Sequence, residues 1–308
     1  MLTPSMRNWF GRSSQSTVAM LLPPTLALPD ETLALPDEPM AEPPSAEAAV
    51  SRPWCDERLS VSDALWGEGY QLPGGEMEVL RLAKPLGLSA ASSLLLLGAG
   101  SGGAANSLVS HLGVWVNGFE ADADLAAAAT HRVGLSGPGK RVRINRWDPS
   151  EPVFTRQYFH HALAIEPLRG HPPETILAAL SLALKEGGQL MMVELVADAP
   201  LSENDPLIRQ WGRLERIDPR TLPTEIAITR VLGRLGFDVR IVEDVSQRHM
   251  HQAIMGWRRM VRGMEDEKPS RAKARLVVHE AELWLLRLRL FREGRLRLVR
   301  WHAIGSAV

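Results

Sequence analysis

Four consecutive leucines that stop at glycine, Leu94–Leu97 followed by Gly98-Ala-Gly-Ser-Gly-Gly103, constrain this chain more than any other stretch. An apolar run this short, broken by glycine, reads as a strand buried on both faces of a parallel sheet. The glycines after it must turn sharply and let something approach the backbone, which residues without a Cβ permit. Ala104–Leu112 then has the pattern of a helix, whose free N–H groups and dipole face whatever lies over the loop. A second strand over Val114–Phe119 delivers Glu120 about twenty residues beyond the first glycine, the distance at which an acid accepts hydrogen bonds from ribose hydroxyls. Strand, glycine loop, helix, strand and acid together specify a nucleoside-cofactor site.

The loop alone does not choose the cofactor. Gly98, Gly100 and Gly103 satisfy the dinucleotide pattern G-x-G-x-x-G, with Glu120 as its ribose acid. Gly98, Gly100 and Gly102 equally satisfy the looser G-x-G-x-G of S-adenosylmethionine enzymes.

The remaining chain supplies the context. At 308 residues, 45% hydrophobic and 23% charged, there is room for one α/β core with additions. A net charge of −1 gives no bulk reason to expect nucleic acid or a membrane surface. The charge is uneven, with 13 Lys/Arg against 6 Asp/Glu from His251 onward, which reads first as solvated helix faces and second as anionic-ligand recruitment. Cys55 is the single cysteine, which excludes an internal disulfide and suits a reducing, cytoplasmic setting. Residues 1–52, rich in proline and carrying Thr-Leu-Ala-Leu-Pro-Asp-Glu twice in tandem, read as a disordered tail. No stretch is long and apolar enough to be an integral membrane segment.

From Pro53 onward, strand and helix patterns alternate. A helix over Glu76–Leu86 precedes the leucine strand, and Trp66-Gly-Glu-Gly-Tyr-Gln-Leu-Pro-Gly-Gly75 leads into it. Trp66 and Tyr70 in that stretch are either a lid over a ligand or packing anchors. Further on come a helix over Asp122–Val133, a third strand over Val142–Asp148 and a fourth over Phe159–Ile165 that ends at Glu166. A helix over Glu174–Leu184 ends on a glycine cap at Lys185-Glu-Gly-Gly188, and a fifth strand over Gln189–Val196 carries Glu194. Glu225–Leu235 reads as a helix and Phe237–Val245 as a sixth strand. Two long helical patterns, Gln247–Met264 and Arg271–Glu293, then precede a seventh, antiparallel strand toward Ile304. Such alternation predicts an α/β, Rossmann-like, mostly parallel seven-stranded sheet with helices on both faces and a C-terminal helical insertion. Glu120, Asp148 and Glu166, with Glu194 or Asp198, fall at strand ends and converge on one crevice.

The stretch from Trp66 to about Asp198 resembles the class I S-adenosylmethionine-dependent methyltransferases, nearest the phosphoethanolamine N-methyltransferase and related small-molecule group. The resemblance is carried by Trp66-Gly-Glu-Gly-Tyr…Pro73-Gly74-Gly75, Gly98-Ala-Gly-Ser-Gly-Gly103, Glu120, Asp148 and Leu184-Lys-Glu-Gly-Gly188. It implies S-adenosyl-L-methionine as cofactor. Gly98, Gly100 and Gly102 then pass beneath its methionine part, Glu120 holds the ribose, and Asp148 faces the adenine with Trp147 lining the ring. Tyr70 joins this cofactor-binding set from the preceding loop. Two positions depart from the family pattern: Leu96 stands where an acid is usual, and His160 where the fourth strand usually opens Phe-Asp.

Methyl transfer from a sulfonium needs alignment above all, with a proton acceptor when the nucleophile is a hydroxyl or ammonium. The segment Glu166-Pro-Leu-Arg-Gly-His171 lies where this family keeps substrate-facing residues, so His171 is the first candidate base and Glu166 the second. His249 and His251 have no third ligand in register, so no metal site is expected. The domain expected is 53–308, with its core at 76–198 and substrate-side additions at 199–222 and 246–293. The expected activity is methylation of oxygen or nitrogen on a small molecule, without nucleic acid as partner; the helical additions suit a cap or a homo-oligomer contact. Two alternatives stand beside it: a non-catalytic methyltransferase fold, motivated by Leu96 and His160, and a nicotinamide- or flavin-dependent oxidoreductase.

Overall fold

The computed structural model describes residues 54–135, 140–266 and 269–305; the tail assigned to 1–52 lies outside them. Two helices come first, α1 (Asp56–Trp66) and α2 (Gly75–Ala83), the second continued by one 3₁₀ turn over Lys84–Leu86. Alternation then runs β1 (Ser93–Leu97), α3 (Gly103–Leu112), β2 (Trp115–Glu120), α4 (Ala123–Leu135), β3 (Val142–Arg146), β4 (Phe159–Ile165), α5 (Pro173–Ala183) and β5 (Leu184–Ala197). The rest is α6 (Pro206–Glu215), α7 (Glu225–Arg234), β6 (Phe237–Asp244), α8 (Ser246–Asp266), α9 (Arg271–Arg292) and β7 (Leu296–Gly305).

The strands form one sheet in the order β3-β2-β1-β4-β5-β7-β6. All pairings from β3 to β5 are parallel, while β7 runs antiparallel to both β5 and β6. The order reverses between β1 and β4, so the crevice for a ligand opens at the carboxyl ends of those strands.

The leucine run explains the layering. Successive strand residues point to opposite faces, and Leu94 and Leu96 enter one apolar core while Leu95 and Leu97 enter the other. Leu96 is fully buried and paired to Gly118 and Leu163, so an acid at this position would stand in an apolar core. The first core is closed by residues of α1, α2, α3, α4, α6, α8 and α9, the second by α5 and α7. His160 opens β4 at the amino end of the strand, away from the crevice. Its Nδ1 accepts from the Ser93 amide at 3.0 Å, and its Nε2 lies 3.1 Å from Lys185 Nζ.

Two expectations are corrected. No glycine caps α5: its last turn ends at Ala183, Leu184 is already extended, and Lys185-Glu-Gly-Gly188 belongs to β5. There it bulges, because Phe159 pairs with Leu184 but His161 with Gln189. The third strand stops at Arg146, leaving Trp147 and Asp148 in the turn beyond it. Trp66 and Tyr70, left open between lid and packing anchor, are both buried and packed. The Trp66 ring lies 4.8 Å from that of Trp284, and the buried Tyr70 hydroxyl is hydrogen-bonded to Ser107 Oγ.

Candidate cofactor and acceptor site

The glycine loop sits at the carboxyl end of β1 with Gly98, Gly100 and Gly102 at φ of 74°, 58° and 99°. Side chains are strained in that region, and a Cβ on Gly98 would strike the Ile165 carbonyl of β4. Each loop N–H has a partner. Gly98 and Ala99 donate to Phe119 O, Gly100 to Glu120 Oε2 at 2.8 Å, and Ser101 to Gln71 Oε1 at 2.9 Å. Gly102 donates to Ala99 O, and Gly103, the first residue of α3, to Gly69 O at 3.0 Å. The stretch before α2 is therefore hydrogen-bonded directly onto the loop.

Glu120 ends β2 with its carboxylate buried against that loop. Its second oxygen, Oε1, accepts from the Asp122 amide at 3.1 Å. Burial raises its pKa above the ordinary carboxylate value, opposed by those two N–H donors and by the nearby charge of Arg169. Each oxygen retains a lone pair for a further donor. Asp148 lies exposed beyond β3, where its Oδ1 accepts from Ser150 N at 2.8 Å and Ser150 Oγ at 2.7 Å. Those bonds hold it below the ordinary aspartate value, with a smaller contribution from the charge of His171. Phe119, Phe154 and Trp147 make an aromatic wall on this side, with ring centroids 4.9 and 5.6 Å apart.

After β4 the chain makes a pinned turn. Glu166 donates its amide to Val193 O at 2.8 Å, Leu168 to the buried Glu194 carboxylate at 2.7 Å, and His171 to Leu168 O at 2.8 Å. Glu166 and Arg169 both adopt φ of 43°, a conformation side chains rarely take and one that clusters at functional turns. Glu194 is raised to about 8 by its burial and then by the charge of Glu166. Over this turn α9 delivers the buried Arg287, whose Nη2 donates to both Glu166 oxygens at 2.8 and 3.0 Å and whose Nη1 reaches Glu215 of α6 at 3.3 Å.

Glycine loop, Glu120, Trp147 and Asp148 thus stand around the β1–β2–β3 end of the crevice, and Glu166 and His171 share the turn after β4. His171 is on the Asp148 side, close enough for their charges to interact. Tyr70 is held against α3 rather than standing free over the loop. His249 is buried between the rings of Trp284 and Phe291, where burial and then the charge of Arg287 keep it neutral. Sequence reasoning did not single out Gln71, Arg169 or Arg287. Gln71 lies inside the quoted Trp66–Gly75 stretch, but only its contact with Ser101 distinguishes it, and Arg287 is 121 positions from its partner Glu166.

No family model matches this sequence, and no curated protein matches it. Solved structures do. Phosphoethanolamine N-methyltransferase 2 of Haemonchus contortus, in complex with phosphomonomethylethanolamine and S-adenosylhomocysteine, superimposes with a TM-score of 0.71 at 19% identity over 84% of this chain. This chain covers 60% of that longer protein. Geranyl diphosphate C-methyltransferase of Streptomyces coelicolor A3(2) gives 0.57 at 14% identity, over 74% of this chain and 78% of that one. The cyclase SpnF gives 0.57 at 19%, over 76% and 82%. With the strand order and the antiparallel β7, these likenesses show that the chain has the Rossmann-like fold of the class I S-adenosylmethionine-dependent methyltransferases.

Proposed function

We propose that this chain is an S-adenosylmethionine-dependent methyltransferase that acts on oxygen or nitrogen of a small molecule. The observation that carries the reading is the buried Glu120 carboxylate, hydrogen-bonded to the glycine loop at the switch point of a sheet with this strand order. The residues fit the cofactor. Glu120 keeps acceptor capacity for two ribose hydroxyls, Asp148 with the Trp147–Phe119–Phe154 wall suits an adenine, and the Gly98–Gly102 loop, its N–H groups paired within the protein, sets the turn between them. Methyltransferases bound to the cofactor or its product among the structural neighbours support the same choice. A neighbouring cyclase on this fold is the reason the reading rests on the site and not on the fold.

When bound, the cofactor supplies an activated methyl group on a sulfonium. The chain's own residues align the acceptor, exclude water and take up its proton. Glu166 and His171, on the pinned turn after β4, are the acceptors for that proton, His171 the first and Glu166 the second. Arg287 fixes the Glu166 carboxylate in place from above.

Calorimetric titration with S-adenosylhomocysteine, with NADH in parallel, tests the reading. Binding of the first and none of the second is expected, and Asp148→Ala weakens that binding. NADH binding alone overturns the cofactor, and silence from both in a folded sample overturns the enzymatic reading.

A further inference from the structure

Arg169 occupies the tip of the turn after β4, three residues beyond Glu166 and two before His171. Three backbone bonds anchor the turn: Glu166 N to Val193 O, Leu168 N to Glu194 and His171 N to Leu168 O. The turn is therefore rigid where it presents this side chain. Arg169 itself is exposed, holds a left-handed φ of 43°, and makes no hydrogen bond or ion pair among the described residues. A strained backbone kept at a fixed tip, carrying a guanidinium without a partner, is an arrangement that packing does not require.

Its surroundings locate it in the crevice. It follows β4, whose carboxyl end borders the crevice, and its charge bears on Glu120 at the end of β2 and on Glu194 in the carboxyl half of β5. Neither carboxylate is hydrogen-bonded to it: Glu120 accepts from the Gly100 and Asp122 amides, and Glu194 from those of Leu168 and Leu195. The buried Arg287 above the turn already pairs its two terminal nitrogens with Glu166 and Glu215. Arg169 is the guanidinium that, among the described residues, stands unpaired on the six-residue turn carrying both candidate bases.

We propose that Arg169 binds an anionic group, phosphate or carboxylate, on the molecule whose oxygen or nitrogen is methylated, an inference that rests on the function proposed above. A guanidinium offers two parallel N–H donors to either oxyanion. Anchored there, the acceptor's nucleophile lies within a few residues' reach of Glu166 and His171.

The test titrates inorganic phosphate and, separately, acetate into the full-length protein saturated with S-adenosylhomocysteine, at an ionic strength held constant with chloride. The wild type binds at least one of the two anions. Arg169→Gln binds it about tenfold more weakly, Arg169→Lys falls between, and affinity for S-adenosylhomocysteine is unchanged in both. Phosphate alone marks a phosphate-bearing acceptor, and acetate alone a carboxylate-bearing one. The inference is overturned if neither anion binds the wild type, or if Arg169→Gln binds as the wild type does. It is also overturned if the variant loses S-adenosylhomocysteine, which would assign the arginine to the cofactor. Failure of the wild type to bind S-adenosylhomocysteine counts against the methyltransferase reading alone, because the same anion titrations on the unsaturated protein still test Arg169.

Discussion

Glu120 ties the glycine loop to the turn after β2 through two hydrogen bonds, and a one-atom change tests its roles. In Glu120→Gln, one oxygen becomes an NH₂ group that must face the N–H of Gly100 or Asp122. Leaving a buried donor without an acceptor costs about 1–3 kcal/mol. The variant therefore unfolds at lower denaturant, and its affinity for S-adenosylhomocysteine falls by tenfold or more if, as proposed, the ribose is held by the same carboxylate as the loop. Equal stability and equal affinity in the variant would remove Glu120 from the site. Glu194 gives a different signature. Its folded value of about 8 lies above the ordinary 4.5, so between those limits the native state holds a proton that the unfolded chain has released. Stability then falls as pH rises through that window, the contribution being complete below the ordinary value and lost by about 8. Denaturant unfolding at pH 5 and pH 8 shows a steeper loss for wild type than for Glu194→Gln. Glu120 was legible in the sequence because a spacing from the glycine loop identifies it. The Glu194 environment was not, since burial on a fifth strand and proximity to Glu166 arise only when the strands pair.

At the scale of elements, the sequence told most about parts whose neighbours are local. The strand β1 and its glycine turn, α3 behind them, and the long patterns of α8 and α9 are periodic enough to read directly. What escaped was decided by distant partners. The end of α5 looked glycine-capped, yet β4 draws Leu184 into the sheet and turns Lys185–Gly188 into a bulge. Arg287 is the strongest such case, because it ties α9 to the turn after β4 and to α6 through Glu166 and Glu215. Replacing it by methionine leaves those carboxylates in a largely buried setting without their cation, at a cost of about 3–5 kcal/mol. Arg287→Met with Glu215→Gln recovers part of that loss, since one of the stranded charges is gone, and chemical denaturation of the single and double variants measures the coupling. Additive losses would mean that Arg287 and Glu215 do not interact.

The whole molecule raises the question of whether α8 and α9, inserted between β6 and β7, are an appendage or part of the domain. Physical continuity favours the second. From α9, Leu283, Trp284, Leu288, Leu290 and Phe291 are buried in the same core as Leu94 and Leu96 of β1. From α8, Met250, Ala253 and Met260 join them, and Gly256 is required where the helix crosses Leu65 and Trp66, because a Cβ there would meet the Trp66 ring. The strand after the insertion, β7, lies between β5 and β6, so the sheet cannot close without the chain returning from α9. Elements that share one core and one sheet should lose structure together. Tryptophan fluorescence, which reports on Trp284 in the insertion as well as Trp211 and Trp301 outside it, and far-ultraviolet circular dichroism are therefore expected to give superimposable unfolding curves. Trp284→Ala removes a side chain that packs on Trp66, is buried at 5% exposure, and lies in the shared core. It is expected to cost about 3–5 kcal/mol and to shift both curves equally. A variant curve in which fluorescence moves and circular dichroism does not would make the insertion an independent unit. The clamp that Arg287 places over Glu166 would then be a contact between separately folding parts, made and broken without disturbing the sheet.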